Sequence, residues 1–168
     1  TSYKPQNIKS QKSMKRLWLR FALCVYAVMY TIGLPLILGI EDSYSDYHNL
    51  KPIIFPIVTI GVSLGLWLHR SREWKLAAFL LIIIACFNND DWTILHNTSA
   101  ILFFILSSYI MINDKRFRLF GIMSILAYPL LFIDIKEKLF IFEAIQIPIL
   151  STYHLARVLY LLKLKTKS

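Results

Sequence analysis

The sequence predicts an all-α, polytopic transmembrane bundle of six helices with both termini cytoplasmic, and three observations predict it. Of 168 residues, 57% are apolar and only 17% charged, where a soluble domain of this size carries about a quarter charged residues. The apolar residues gather into runs suited to crossing roughly 30 Å of hydrocarbon at 1.5 Å per residue. Basic residues fill alternate gaps between those runs: Lys4, Lys9, Lys12, Lys15 and Arg16, then Arg70, Arg72 and Lys75, then Lys115, Arg116 and Arg118, and finally Lys163, Lys165 and Lys167. The other gaps hold Glu41, Asp42, Asp46, Asp90, Asp91, Asp134 and Glu137. Basic loops stay cytoplasmic, which fixes the orientation and makes the number of spans even. The net charge of +9 is thereby explained by topology, and nucleic acid is not an expected partner. Residues 1–168 read as a single transmembrane domain.

The first span, 17–40, continues into the polytopic pattern and reads as a retained signal anchor. The second, 52–68, carries Gly61 and Gly65 four apart, a small-xxx-small step that lets a neighbouring helix approach closely. The third, 74–92, is the anomaly, because only 76–87 is apolar, about 18 Å of helix. Asn88, Asn89, Asp90 and Asp91 are therefore expected to continue it below the outer surface into a wet cavity. The fourth, 93–112, places His96, Ser99, Ala100, Phe103 and Ser107 in one stripe at helical spacing, a face for burial against other helices. The fifth, 117–134, and the sixth, 139–162, complete the bundle, with Pro148 positioned to kink the last. Trp18, Trp67, Trp74 and Trp92 fall at span ends, where interfacial aromatics collect.

A polar group in hydrocarbon must be paired or hydrated, so depth finds the candidate site. His96 lies just under the outer boundary; Glu143 lies about 7 Å below it on the sixth span, with Gln146 one turn deeper. The candidate catalytic set is His96, Glu143 and Asp91. Asp46, His48, Asn89, Asp90, Ser99 and Gln146 are candidate binding residues, the first two from an outer loop placed to close over the cavity. His154 and Arg157 share the face of Glu143, but His154 lies about 16 Å deeper. They form a separate inner-side pair, with Arg20 or lipid phosphate as its partner.

Imidazole and carboxylate suit zinc and similar divalent ions. A divalent metal is thus the cofactor this set could hold, on His96, Asp90, Asp91 and Glu143. No HExxH, CxxC, Walker, GxSxG or Rossmann glycine pattern occurs, so no catalytic motif selects a reaction. The elements Ser45-Asp46-Tyr47 and Leu95-His96-Asn97-Thr98-Ser99-Ala100-Ile101-Leu102-Phe103-Phe104, followed by Tyr109, resemble the six-span Frag1/DRAM/Sfk1-type membrane proteins and related bacterial membrane proteins. In those a helix begins with His, then a small residue, then paired Phe. That resemblance implies a six-span fold and a role in lipid or lipid-anchor handling.

Three functions are in play. The leading one is binding or handling of a lipid or amphiphile in an outward-facing polar pocket. The alternatives are a metal-dependent membrane hydrolase acting on a lipid head group or amide, with His96 and an acidic neighbour activating water, and a proton- or ion-coupled transporter. The expected partners are membrane lipid and a second copy or another membrane protein; the expected location is the plasma membrane or a bacterial inner membrane.

Overall fold

The computed structural model describes residues 6–39, 53–69, 71–87, 91–133 and 138–166, and every regular element among them is helical. In chain order these are α1 (Gln6–Leu38), α2 (Ile54–Trp67), α3 (Arg72–Cys86), α4 (Thr93–Asn113), α5 (Arg118–Leu126) with a 3-10 turn (Tyr128–Phe132), and α6 (Lys138–Thr166). Two of them, Thr93–Asn113 and Lys138–Leu164, are long and apolar enough to cross a membrane; Phe55–Trp67 and Arg118–Phe132 are shorter apolar segments.

Local chemistry sets the helix ends, and three differ from the sequence expectation. α1 begins eleven residues before position 17 and stops at Leu38, where Gly39 takes φ +89°, the left-handed conformation that a residue without Cβ adopts at a helix end. α3 starts on Ser71, whose hydroxyl accepts the Trp74 backbone N–H at 3.3 Å, a normal N-cap. It ends at Cys86, with Phe87 extended. It does not continue to Trp92, and the described acidic residue of that connection, Asp91, lies in an exposed turn. The fifth span is an α-helix only to Leu126 and then narrows to a 3-10 turn through Pro129. A proline ring crowds the carbonyl four residues earlier and offers no N–H, which favours the break here, whereas α6 continues through Pro148.

Consecutive helices pack side by side, and α6 returns to α1, so the six helices form a closed ring in sequence order. The Gly61–Gly65 step faces α1: a Cβ at Gly65 would make ordinary contact with Leu23 at 3.4 Å, and one at Gly61 with Tyr26 at 4.0 Å. Ser63, fully buried on α2, donates to Ala78 C=O on α3 at 2.7 Å. On the other side of the ring a buried polar network joins α4, α5 and α6. Ser124 donates to Gln146 Oε1 at 2.6 Å, Gln146 Nε2 returns a bond to Ser124 C=O at 2.7 Å, and the Ser108 hydroxyl meets Ser124 Oγ at 2.6 Å.

The distribution of polarity is inverted relative to a soluble domain. Leu36, Ile94 and Phe132 are 79%, 85% and 88% exposed, while Arg20, His69, His96, Glu143 and His154 are all buried. Trp18, Trp67 and Trp92 are about half exposed, as interfacial residues should be, but Trp74 is completely buried. Its ring is occupied by His154 at 4.3 Å and by Tyr153 and His69 at 5.8 Å and 5.4 Å, so it is a packing residue.

Candidate functional site

Inside the ring lies a partly open cavity of about 130 Å³, walled by α1, α2, α3, α4 and α6. Its middle is apolar, built from Leu23, Ala27, Val58, Val62, Leu81, Ala100, Phe103 and Leu150. Polar side chains stand at both ends: His96 and Glu143 at one, Arg20 and His154 at the other. Glu143 and His154 are eleven residues apart on α6, so the two polar ends are separated by about 16 Å.

The His96 end contains part of what the sequence predicts. His96 is buried, and its Nδ1–H donates to the Phe87 carbonyl at 2.7 Å; the extended backbone at Phe87 that ends α3 supplies this acceptor. This bond orients the ring and leaves Nε2 as its other polar atom. Glu143 is buried in the same cavity. The rest of the predicted set does not gather there. Asp91 is exposed and away from the cavity lining, so His96, Glu143 and Asp91 do not form a catalytic trio. Ser99 and Gln146 are buried but turned out of the cavity. Three residues along a helix is a rotation of about 60°. For Gln146 that step away from Glu143 points its amide at Ser124 instead. Asp46, His48, Asn89 and Asp90 lie outside the described residues. Among the described residues no three His, Cys, Asp or Glu side chains converge as metal ligands, so the metal set of His96, Asp91 and Glu143 is not assembled.

The other end is a cluster that sequence reasoning found only in part. His154 and Arg157, expected as a pair with Arg20 or lipid phosphate as partner, share with Arg20 a residue not singled out: His69, in the turn between α2 and α3. His69 Nε2 accepts from Arg20 Nη2 and lies 3.2 Å from His154 Nδ1, while its Nδ1 lies 3.5 Å from Arg157 Nη1. Arg157 also reaches the Asp114 carboxylate at 3.5 Å and donates to Tyr153 OH at 3.2 Å; Tyr153 OH donates to Asp114 at 3.0 Å. Burial, followed by the neighbouring His154 and Arg20, pushes the His69 imidazole far below its usual range, so the ring is neutral. The available signals were the i, i+4 spacing of Tyr153 and Arg157 and the polar step His69 after an apolar helix.

This basic end also faces a shallow cleft lined by Ser71, Glu73, Trp74, Asn113, Asp114 and Lys115 on the far side of Trp74 and Tyr153. Trp74 and Tyr153, both fully buried, line this cleft and not the cavity. Comparison with protein-family models, curated proteins and solved structures finds no match to this chain.

Proposed function

We propose that this chain is a six-span integral membrane protein, both termini cytoplasmic, that holds a lipid or amphiphile in the cavity between its helices. The observation that carries the reading is the cavity itself: an apolar middle about 16 Å long with polar groups at each end matches a molecule with an apolar body and polar ends. The membrane placement is supported by the inverted polarity. Large aliphatic side chains face outward while Arg20, His69, His96, Glu143 and His154 face inward, the arrangement hydrocarbon solvent favours and water penalises. The clustering of Arg72, Lys75, Lys115, Arg116 and Lys163 with the turns at one end supports placing that end in the cytoplasm.

The hydrolase reading has less behind it, because Asp91 stands apart from His96 and Glu143. Transport has one observation in its favour. Hydrogen bonds link Asp114, Tyr153, Arg157, His69 and His154 from the cleft to the cavity, although the apolar middle interrupts the path to Glu143.

The test is occupancy. Protein purified in neutral detergent should carry an extractable amphiphile detectable by mass spectrometry, and Ala100→Phe, which fills the cavity from α4, should lower that occupancy at least about tenfold, the effect of roughly 1.4 kcal/mol. Equal occupancy in both proteins refutes the reading. Orientation is checked on a Cys24→Ser, Cys86→Ser background. A cysteine at position 91 should label only from the non-cytoplasmic side and one at position 115 only from the cytoplasmic side.

A further inference from the structure

The basic end of the cavity has more hydrogen-bond donors than acceptors. Arginine only donates. Arg20 is 7% exposed, and among the described residues its guanidinium has His69 Nε2 as its one hydrogen-bond partner and no carboxylate. That same His69 nitrogen lies 3.2 Å from His154 Nδ1; its one lone pair is taken by Arg20, so a neutral His154 carries its proton on Nε2. A neutral His69 accepting at Nε2 carries its proton on Nδ1, which then confronts another donor, Arg157 Nη1, at 3.5 Å. The remaining acceptors, Tyr153 OH and the Asp114 carboxylate, are engaged with Arg157 and with each other. His154 Nε2 and Trp74 Nε1 are buried with no hydrogen-bond partner. Two guanidinium groups are set against one carboxylate, and a buried donor or charge without a partner is costly.

An anion beside Arg20 and His154 answers the part of this imbalance that faces the cavity, since it brings several acceptors and a negative charge. We infer that Arg20 and His154 bind the anionic group, phosphate or carboxylate, of the ligand at the basic end of the cavity. The inference rests on the proposal that the cavity holds an amphiphile and adds the sign and position of the head group. Arg20 and His154 both line the cavity, with Leu23, Leu66 and Leu150 directly beyond them for the apolar body. His69 does not contact the ligand in this scheme. It is a positioning residue, holding Arg20 through Nε2 and packing edge-on against the His154 ring.

The experiment compares three probes on the full-length protein in neutral detergent, by native mass spectrometry and thermal shift. They are a single-chain lysophosphatidic acid, the monoacylglycerol with the same chain, and inorganic phosphate. The expected result is lysophosphatidic acid binding at least about tenfold more tightly than monoacylglycerol, with that preference lost in Arg20→Gln and in His154→Gln and partly kept in Arg20→Lys, since a hydrogen bond to a charged group accounts for tenfold or more. If Arg20→Gln does not fold, Arg20→Lys and His154→Gln decide the matter. Equal binding of the two amphiphiles, or a preference that survives all three substitutions, overturns the anion site and leaves the amphiphile cavity standing. Arg20-dependent binding of phosphate without either amphiphile supports the anion site with a soluble source and overturns the amphiphile cavity. Binding of none of the three overturns both.

Discussion

Ser124 and Gln146 should be energetically coupled, and the geometry fixes by how much. Both are essentially without exposed surface, and they exchange two hydrogen bonds of 2.6 Å and 2.7 Å between α5 and α6. Ser124→Ala removes the donor to Gln146 Oε1 and strands a buried amide oxygen, a loss of about 1–3 kcal/mol. Gln146→Leu behaves differently. The Ser124 hydroxyl keeps Ser108 at 2.6 Å and the Ser124 carbonyl keeps the Ala127 N–H at 3.2 Å, so nothing is stranded. Interhelical hydrogen bonds in membrane bundles average about 0.6 kcal/mol each, and the two lost here total about 1 kcal/mol. The double variant strands no amide oxygen and should therefore cost about the same as Gln146→Leu alone, leaving a coupling of about 1 kcal/mol or more. Reversible unfolding in mixed micelles with increasing dodecyl sulfate, followed by the fluorescence of the four tryptophans, measures all four corners of the cycle. Additivity within about 0.3 kcal/mol, the behaviour of independent sites, would refute the network as the tie between α5 and α6.

Two further outcomes follow from the packing and from the buried histidine. Gly121→Ala should destabilise by about 1–3 kcal/mol, because a Cβ there would overlap the Ile112 backbone nitrogen and lie 2.9 Å from its Cα; Gly33→Ala, where nothing lies within 4 Å, should be neutral or stabilising in the same unfolding assay. Burial keeps His69 neutral in the folded protein among Arg20, His154 and Arg157, whereas the unfolded chain protonates it near pH 6.5. Stability is then complete above that pH and falls below it, approaching about 1.4 kcal/mol per pH unit for this group. The slope of stability between about pH 6.5 and pH 5 should flatten in His69→Gln, and an unchanged slope would show that His69 is not the group responsible.

Much of the helical framework was legible because it rests on composition and spacing. The stripe His96, Ser99, Phe103 and Ser107 is buried as its periodicity requires, and the Gly61–Gly65 step does face α1. The errors arose where one residue overrode the pattern. Pro129 ended an α-helix inside an apolar run, and the extended Phe87 ended α3 where polar residues looked able to prolong it. Trp74 sat at a span end in sequence and yet packs fully inside, since its environment depends on which residues α6 delivers opposite it. The site was legible in halves. His96 and Glu143, expected at one level from depth along the chain, line the same cavity, and so does His154, eleven residues from Glu143 on α6. Depth could not show that α6 turns Gln146 toward Ser124, nor that His69, 49 residues from Arg20 and 85 from His154 in sequence, lies between them.

The ring of helices also imposes an order of events. Sequence neighbours can dock as each helix emerges, but the seam between α1 and α6 joins an early helix to one made more than a hundred residues later. Until α6 arrives the cavity is an open trough, with Arg20 and His96 on its walls and neither His154 nor Glu143 present. Chains are made from the N-terminus, so both polar ends of the cavity are completed by one late arrival. A nascent chain that stops before α6 has every other wall and no enclosure, so the cavity closes only when α6 docks.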